Sequence, residues 1–182
     1  VCAPWTVRNY RQFGKLFPMR DNLGLELYVA NHDLSKPSFA ESRRAGVLDA
    51  LHANTSRSEA LLLRQMGEAA YNEDRLNRAK DWIRRNPGRF ARLTAARIAQ
   101  FWFPLPEGFG WYAYSLWIVT ALSFAGFAWL AWRRAPAALF VAAAWVLYPA
   151  VYYMHVSLPY FRYPTLWVSL ICAGVVLASV RR

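Results

Sequence analysis

The last 72 residues of this 182-residue chain contain no acidic side chain. From Trp111 onward the formal charges are Arg133, Arg134, Arg162, Arg181 and Arg182, and they divide the segment into three apolar runs. Trp111 to Trp132 is 22 residues long and Ala135 to Met154 is 20. Each matches the roughly 20 residues that a helix needs to cross a hydrocarbon core of about 30 Å. The third run, Thr165 to Val180, has 16 residues, or 18 when counted from Tyr163, so it crosses with little tilt or is cut short by its neighbours. The pattern predicts transmembrane helices at about 111–132, 135–154 and 163–180.

Aromatic and basic residues set the depth and direction of these spans. Trp111, Tyr112, Trp129 and Trp132 lie near the ends of the first run, and Tyr152 and Tyr153 end the second. Rings with an apolar body and a polar edge favour the headgroup level. Arg133–Arg134 and Arg181–Arg182 both face the cytoplasm under the positive-inside rule, which places residues 155–164 outside. Residues 1–110 then also lie outside, although they carry seventeen Lys/Arg against all eleven acids. The rule weakens for segments beyond about 60 residues, so this excess does not oppose the orientation. A multi-pass protein of a bacterial cytoplasmic (inner) membrane is expected, with residues 1–110 as an extracytoplasmic domain and 111–182 as a membrane domain.

Residues 1–110 read as mainly helical. "SFAE" (Ser38 to Glu41) and "SRSE" (Ser56 to Glu59) place Glu three residues after Ser, the spacing of a reciprocal cap, and predict helices of about a dozen residues. A third helix is expected from about Glu73 to Arg85. "NPGRF" then restarts the chain, with Asn86 as cap and Pro87 at the first helical position. In the helix that follows, at about 87–103, Phe90, Leu93, Ile98, Phe101 and Trp102 form an apolar stripe while Arg89, Arg92 and Arg97 form a polar one. This suits either a helix on the membrane surface with its bases near lipid phosphates or a packed amphipathic helix. Earlier, "LGLELYVAN" alternates enough to predict a strand, and Asn31–His32–Asp33 a turn. The opening "VCAPW" is short, apolar and abrupt, and suggests a fragment whose upstream spans are missing.

Taken in order, "PWTVRNYRQFG", "RDNLGLELYVANH", "RRNPGRFARLTAARIAQFWF", the paired spans and "YFRYP" resemble the carboxy-terminal portion of bacterial glycosyltransferase family 39 proteins. These are related to dolichyl-phosphate-mannose protein mannosyltransferases and aminoarabinose transferases. The similarity covers nearly the whole chain and is carried jointly by "PWTVRN", "NLGLEL" and "RYP". It implies a polytopic GT-C fold and transfer of a sugar from a polyprenyl-phosphate donor to a lipid, glycan or protein acceptor outside the membrane. It also implies that the catalytic carboxylate lies in an external loop upstream, so that no acid of this chain inherits that role and the segment alone is inactive.

On that reading the leaving group is a phosphate anion, which needs cations at the membrane boundary. Arg162 is the first candidate, because a guanidinium placed there without a partner is costly and its planar fork suits phosphate oxygens. The bland alternative is that it snorkels to headgroups or meets a backbone carbonyl. Arg8 and Asn9 are second candidates, with an interfacial anchor beside Trp5 as their alternative. His155 could shuttle a proton or bind an acceptor hydroxyl, and Tyr160 and Tyr163 could stack a sugar ring. Boundary and belt roles are the commoner explanation for these three.

Other chemistries find little support. Cys2 and Cys172 stand 170 positions apart, and His32, Asp33 and His52 lack metal-ligand spacing, so neither a disulfide nor a metal site is supported; no cofactor is identified, and metal dependence is left open. "NTS" at Asn54 matches the glycosylation pattern, a short motif often met by chance. No Gly-rich phosphate loop or serine elbow occurs. The net charge of +11 allows nucleic-acid binding in principle, but the bases are interspersed with acids, and lipid phosphate is the better partner. A non-enzymatic, membrane-anchored extracytoplasmic scaffold or sensor explains the hydropathy and charge equally well.

Overall fold

The computed structural model of the chain, which describes residues 2–14, 22–107 and 110–180, is mainly helical. The helices are α1 (Ala3–Phe13), α2 (Leu23–Ala30), α3 (Phe39–Arg44), α4 (Val47–Leu51), α5 (Arg57–Met66), α6 (Glu68–Arg85), α7 (Pro87–Trp102), α8 (Trp111–Trp132), α9 (Ala137–Leu147), α10 (Ala150–Tyr153) and α11 (Tyr163–Val180). A 3-10 turn, Pro159–Arg162, leads into α11. Val1 and the Arg181–Arg182 pair used for orientation lie outside the described residues. The chain divides into two compact units, one of residues 1–35 and 42–90, the other of residues 36–41 and 91–182.

In the first unit α2 packs on α6. The segment expected as a strand is helical, and Gly24, Leu25, Val29 and Ala30 are its buried residues. The apparent alternation of "LGLELYVAN" misled because Gly24 is a contact and not a breaker. A Cβ there would stand 1.9 Å from the Asn72 carbonyl oxygen of α6, so only glycine permits the approach. Asn72 Oδ1 accepts a hydrogen bond from the Leu25 N–H at 3.3 Å. Asn31, His32 and Asp33 form the bend expected of them. Helix α6 begins at Glu68, earlier than the spacing suggested.

The two cap motifs behave differently. Ser38 and Glu41 complete the reciprocal box: the Ser38 N–H and hydroxyl donate to Glu41 Oε2 at 3.1 and 2.7 Å, and the Glu41 N–H donates to Ser38 Oγ at 3.1 Å. The helix they start is short all the same, because α3 ends at Arg44 and the chain reverses at Gly46 with φ +68°. Ser56 caps α5, but the Glu59 carboxylate bonds instead to Tyr71 and Arg75.

In the second unit α8 packs along α11. Their facing residues are mostly small: Ala113, Leu116, Thr120, Ser123 and Gly126 on one, Thr165, Val168, Ser169, Cys172 and Ala173 on the other. At the closest point a Cβ on Gly126 would stand 1.9 Å from the Cys172 carbonyl oxygen. The outer faces are large and apolar, with Trp111, Ile118, Leu170, Ile171 and Leu177 all exposed. This arrangement, small inside and bulky outside, is how helices associate in lipid. Two helices, Trp111–Trp132 and Pro159–Ser179, are long and apolar enough to cross a membrane. The second expected span is interrupted instead. Pro149 cannot donate to the ladder and separates α9 from α10, and the apolar stretch 137–153 remains shorter than its neighbours. The third gains length from the 3-10 turn before it.

Candidate functional site

Helix α7 starts where the sequence placed it, but its cap faces backwards. Asn86 Nδ2 donates to the Trp82 carbonyl at 3.0 Å and so closes α6, while Pro87 opens α7 without needing a donor. Along α7 the buried residues are Leu93, Arg97 and Phe101, an i, i+4, i+8 row. Arg97 therefore belongs to the buried face and not to the polar stripe, whereas Ile98 is exposed. Its spacing from Leu93 and Phe101 was the available signal, and its charge obscured it.

Arg97 is completely buried, and its Nη1 donates to the Met154 carbonyl at 3.1 Å, just beyond the end of α10. Burial pushes its guanidinium down to about 10, which leaves it protonated at neutral pH. Arg162 is likewise buried, at 1% exposure. Its Nη1 donates to the carbonyl of Trp102, the last residue of α7, at 3.0 Å, and its Cζ lies 5.3 Å from the centre of the Trp102 ring. The last carbonyls of a helix have no intrahelical donor and carry the negative end of its dipole. Both buried guanidiniums thus terminate helices.

Trp102 is the hub of the site. Its carbonyl also accepts from the Thr120 hydroxyl at 2.9 Å, and its indole N–H donates to the Tyr153 hydroxyl at 3.0 Å. Its ring packs against Trp145 and Phe124 at 5.3 and 5.1 Å. Sequence reasoning took Trp102 for one member of a stripe, because a carbonyl's hydrogen bonding leaves no trace in residue type. The phenols of Tyr112 and Tyr153 lie near Arg162, and among the described residues no carboxylate forms an ion pair with it. Its Nη2 is buried without a hydrogen-bond partner among the described residues.

The remaining candidates are placed as follows. Tyr160 and Tyr163 flank Arg162 in sequence but are about half exposed. Tyr160 meets the edge of Phe161 at 4.9 Å, and Tyr163 lies beside Tyr112. His155 Nδ1 is 3.0 Å from the Val156 carbonyl, and its ring stands edge-on to Phe161. The loop that holds it is fixed by the 36–41 segment: the Ser157 N–H donates to the Pro37 carbonyl at 2.9 Å and the Phe39 N–H to the Ser157 carbonyl at 3.2 Å. Arg8 and Asn9 belong to α1 in the first unit, where Arg8 Nη1 donates to Asn9 Oδ1 at 3.2 Å and covers the exposed Trp5 ring. Asn9 itself is buried.

Comparison with protein-family models, with curated proteins and with solved structures finds no match to this chain.

Proposed function

We propose that this chain is the carboxy-terminal part of an integral-membrane glycosyltransferase using a polyprenyl-phosphate-linked sugar, and that Arg162 meets the donor's phosphate. The observation that carries the reading is the state of that guanidinium. It is buried in an apolar unit, with one nitrogen on a carbonyl, a ring beside it and Nη2 without a hydrogen-bond partner among the described residues. A buried cation with a donor left over favours an anion. A planar fork offers phosphate oxygens two parallel donors, and charge developing on the leaving phosphate is stabilised where water is excluded. Because Arg162 is covered here, the phosphate has to displace side chains over it.

In this reading the chain sits in the cytoplasmic membrane with residues 1–110 on the outer side, where the acceptor lipid, glycan or protein is met. The carboxylate that activates the acceptor comes from chain upstream, which makes this segment inactive alone. The test is donor-dependent sugar transfer in membranes, comparing this chain with the full reading frame that contains it. Transfer by the longer protein alone, lowered by about 10²-fold or more in Arg162→Ala at equal folded protein, supports the reading. Equal transfer per folded molecule rejects the role of Arg162.

The Trp102 carbonyl contact favours a second reading, a membrane-anchored scaffold in which Arg162 only terminates α7. On that reading Arg162→Ala lowers the amount of folded protein and no polyprenyl-phosphate sugar is used by either length of chain.

A further inference from the structure

The first unit holds a cleft that neither reading uses. Its volume is about 720 Å³, within the range of small-molecule sites, and it is partly open to solvent. It lies where the turn after α2 meets the last two turns of α6, and Trp82, Asp33, Asp81, Arg85 and Asn86 line it together with His32. Trp82 is held in place: its indole N–H donates to Asp33 Oδ1 at 2.7 Å. Asp33 is held in turn, because its carbonyl accepts from Arg89 Nη2. The aromatic wall is therefore set before any ligand arrives, which lowers the ordering cost of binding.

Charge narrows the ligand. Asp33, Asp81, Arg78 and Arg85 all line the cleft, so it carries no net formal charge from these four, and Arg78 and Asp81 are further paired with Asp74 at 2.9 Å and Arg84 at 3.4 Å. Burial holds His32 below its ordinary value, so the ring is neutral at pH 7. An anion would have to face two carboxylates and a cation two guanidiniums. What suits such a wall is a neutral molecule dense in hydroxyl groups. Each hydroxyl can donate to a carboxylate and accept from a guanidinium or amide, and these planar groups can span two neighbouring hydroxyls. The indole supplies an apolar face for the C–H side of a ring.

We infer that this cleft is a binding site for a neutral saccharide, contacted by Trp82 through its ring and by Asp33, Asp81, Arg85 and Asn86 through hydroxyl hydrogen bonds. The inference rests on the first unit alone and is independent of the phosphate reading of Arg162.

The test uses the whole chain in lipid nanodiscs, prepared without glycoside detergents, which would compete. The probes are a panel of neutral hexose di- and trisaccharides with uronate-bearing, sulfated and amino-sugar counterparts, and Kd is measured for each. The expected result is binding of neutral members, weakened by about tenfold or more in Asp81→Asn and in Arg85→Ala. Both side chains are exposed, so these variants should keep the thermal unfolding of the parent chain. Trp82→Ala is expected to abolish binding while Trp82→Phe retains part of it. Binding confined to the acidic or the amino sugars, neutral binding undiminished by all three substitutions, or no binding at millimolar sugar would overturn the proposal.

Discussion

At the scale of single residues, Arg97 and Arg162 show how an apolar unit keeps a guanidinium. Each donates to a carbonyl at the end of a helix, Met154 after α10 and Trp102 at the end of α7. The arrangement depends on a weakly hydrated, planar cation. An ammonium is a compact and strongly hydrated point charge, so it loses more on burial and gains less from one carbonyl. Arg97→Lys is therefore expected to destabilise the chain more than Arg97→Met, by about 1–2 kcal/mol, since methionine fills the slot with no charge to bury. Thermal unfolding of the two variants in nanodiscs gives the order, and lysine tolerated better than methionine would refute this account of the buried cation.

At the scale of elements, two glycines set helix spacing. Gly24 brings α2 against the α6 backbone and Gly126 brings α8 against α11, each with no room for a Cβ. Gly24→Ala and Gly126→Ala are expected to cost about 1–3 kcal/mol or more through forced separation. Gly88 and Gly174 meet nothing within 4 Å, so alanine there should be neutral or stabilise by up to about 1 kcal/mol. Urea or thermal unfolding of the four variants checks this, and a similar loss at all four would show that spacing is not the cause. The same positions explain what could be read from sequence. Apolar runs and missing acids gave away α8 and α11, because lipid-compatible length is a property of composition. The strand expected at "LGLELYVAN" failed because helix or strand there was decided by Asn72, 48 residues after Gly24. Pro149 was visible inside the second run, but counting charges across 135–154 concealed the break. Arg162 was recognised as unusual from its apolar setting, whereas its partner is a backbone atom and the 82–33 cleft joins residues 49 apart.

Across the whole molecule, the two units bury arginine by opposite means. In the first, Arg75 is 2% exposed, yet it pairs with Glu59 at 2.6 Å and Asp74 at 2.7 Å and lies over the Tyr28 and Tyr71 rings. In the second, Arg97 donates to the Met154 carbonyl, and Arg162 to the Trp102 carbonyl beside the Trp102 ring. The difference follows from supply: fourteen Lys/Arg and nine acids fall in the first unit, eight and two in the second. A carboxylate network makes stability depend on pH in a way that a carbonyl contact does not. Tyr71 is buried, and its hydroxyl donates to Glu59 Oε2 at 2.6 Å. Burial first, and that hydrogen bond second, raise its pKa above the usual 10. A raised value means that the stabilisation is complete below pH 10 and is lost as pH climbs through the folded-state value. Tyr71→Phe is accordingly expected to cost about 1–3 kcal/mol at pH 7 and to flatten the decline of stability above pH 10. Hydrogen exchange of peptides from α5 and α6 between pH 7 and 11.5, after correction for intrinsic exchange rates, would read both effects. An alkaline decline equally steep with phenylalanine in place would mean that the Tyr71 proton does not hold the first unit together.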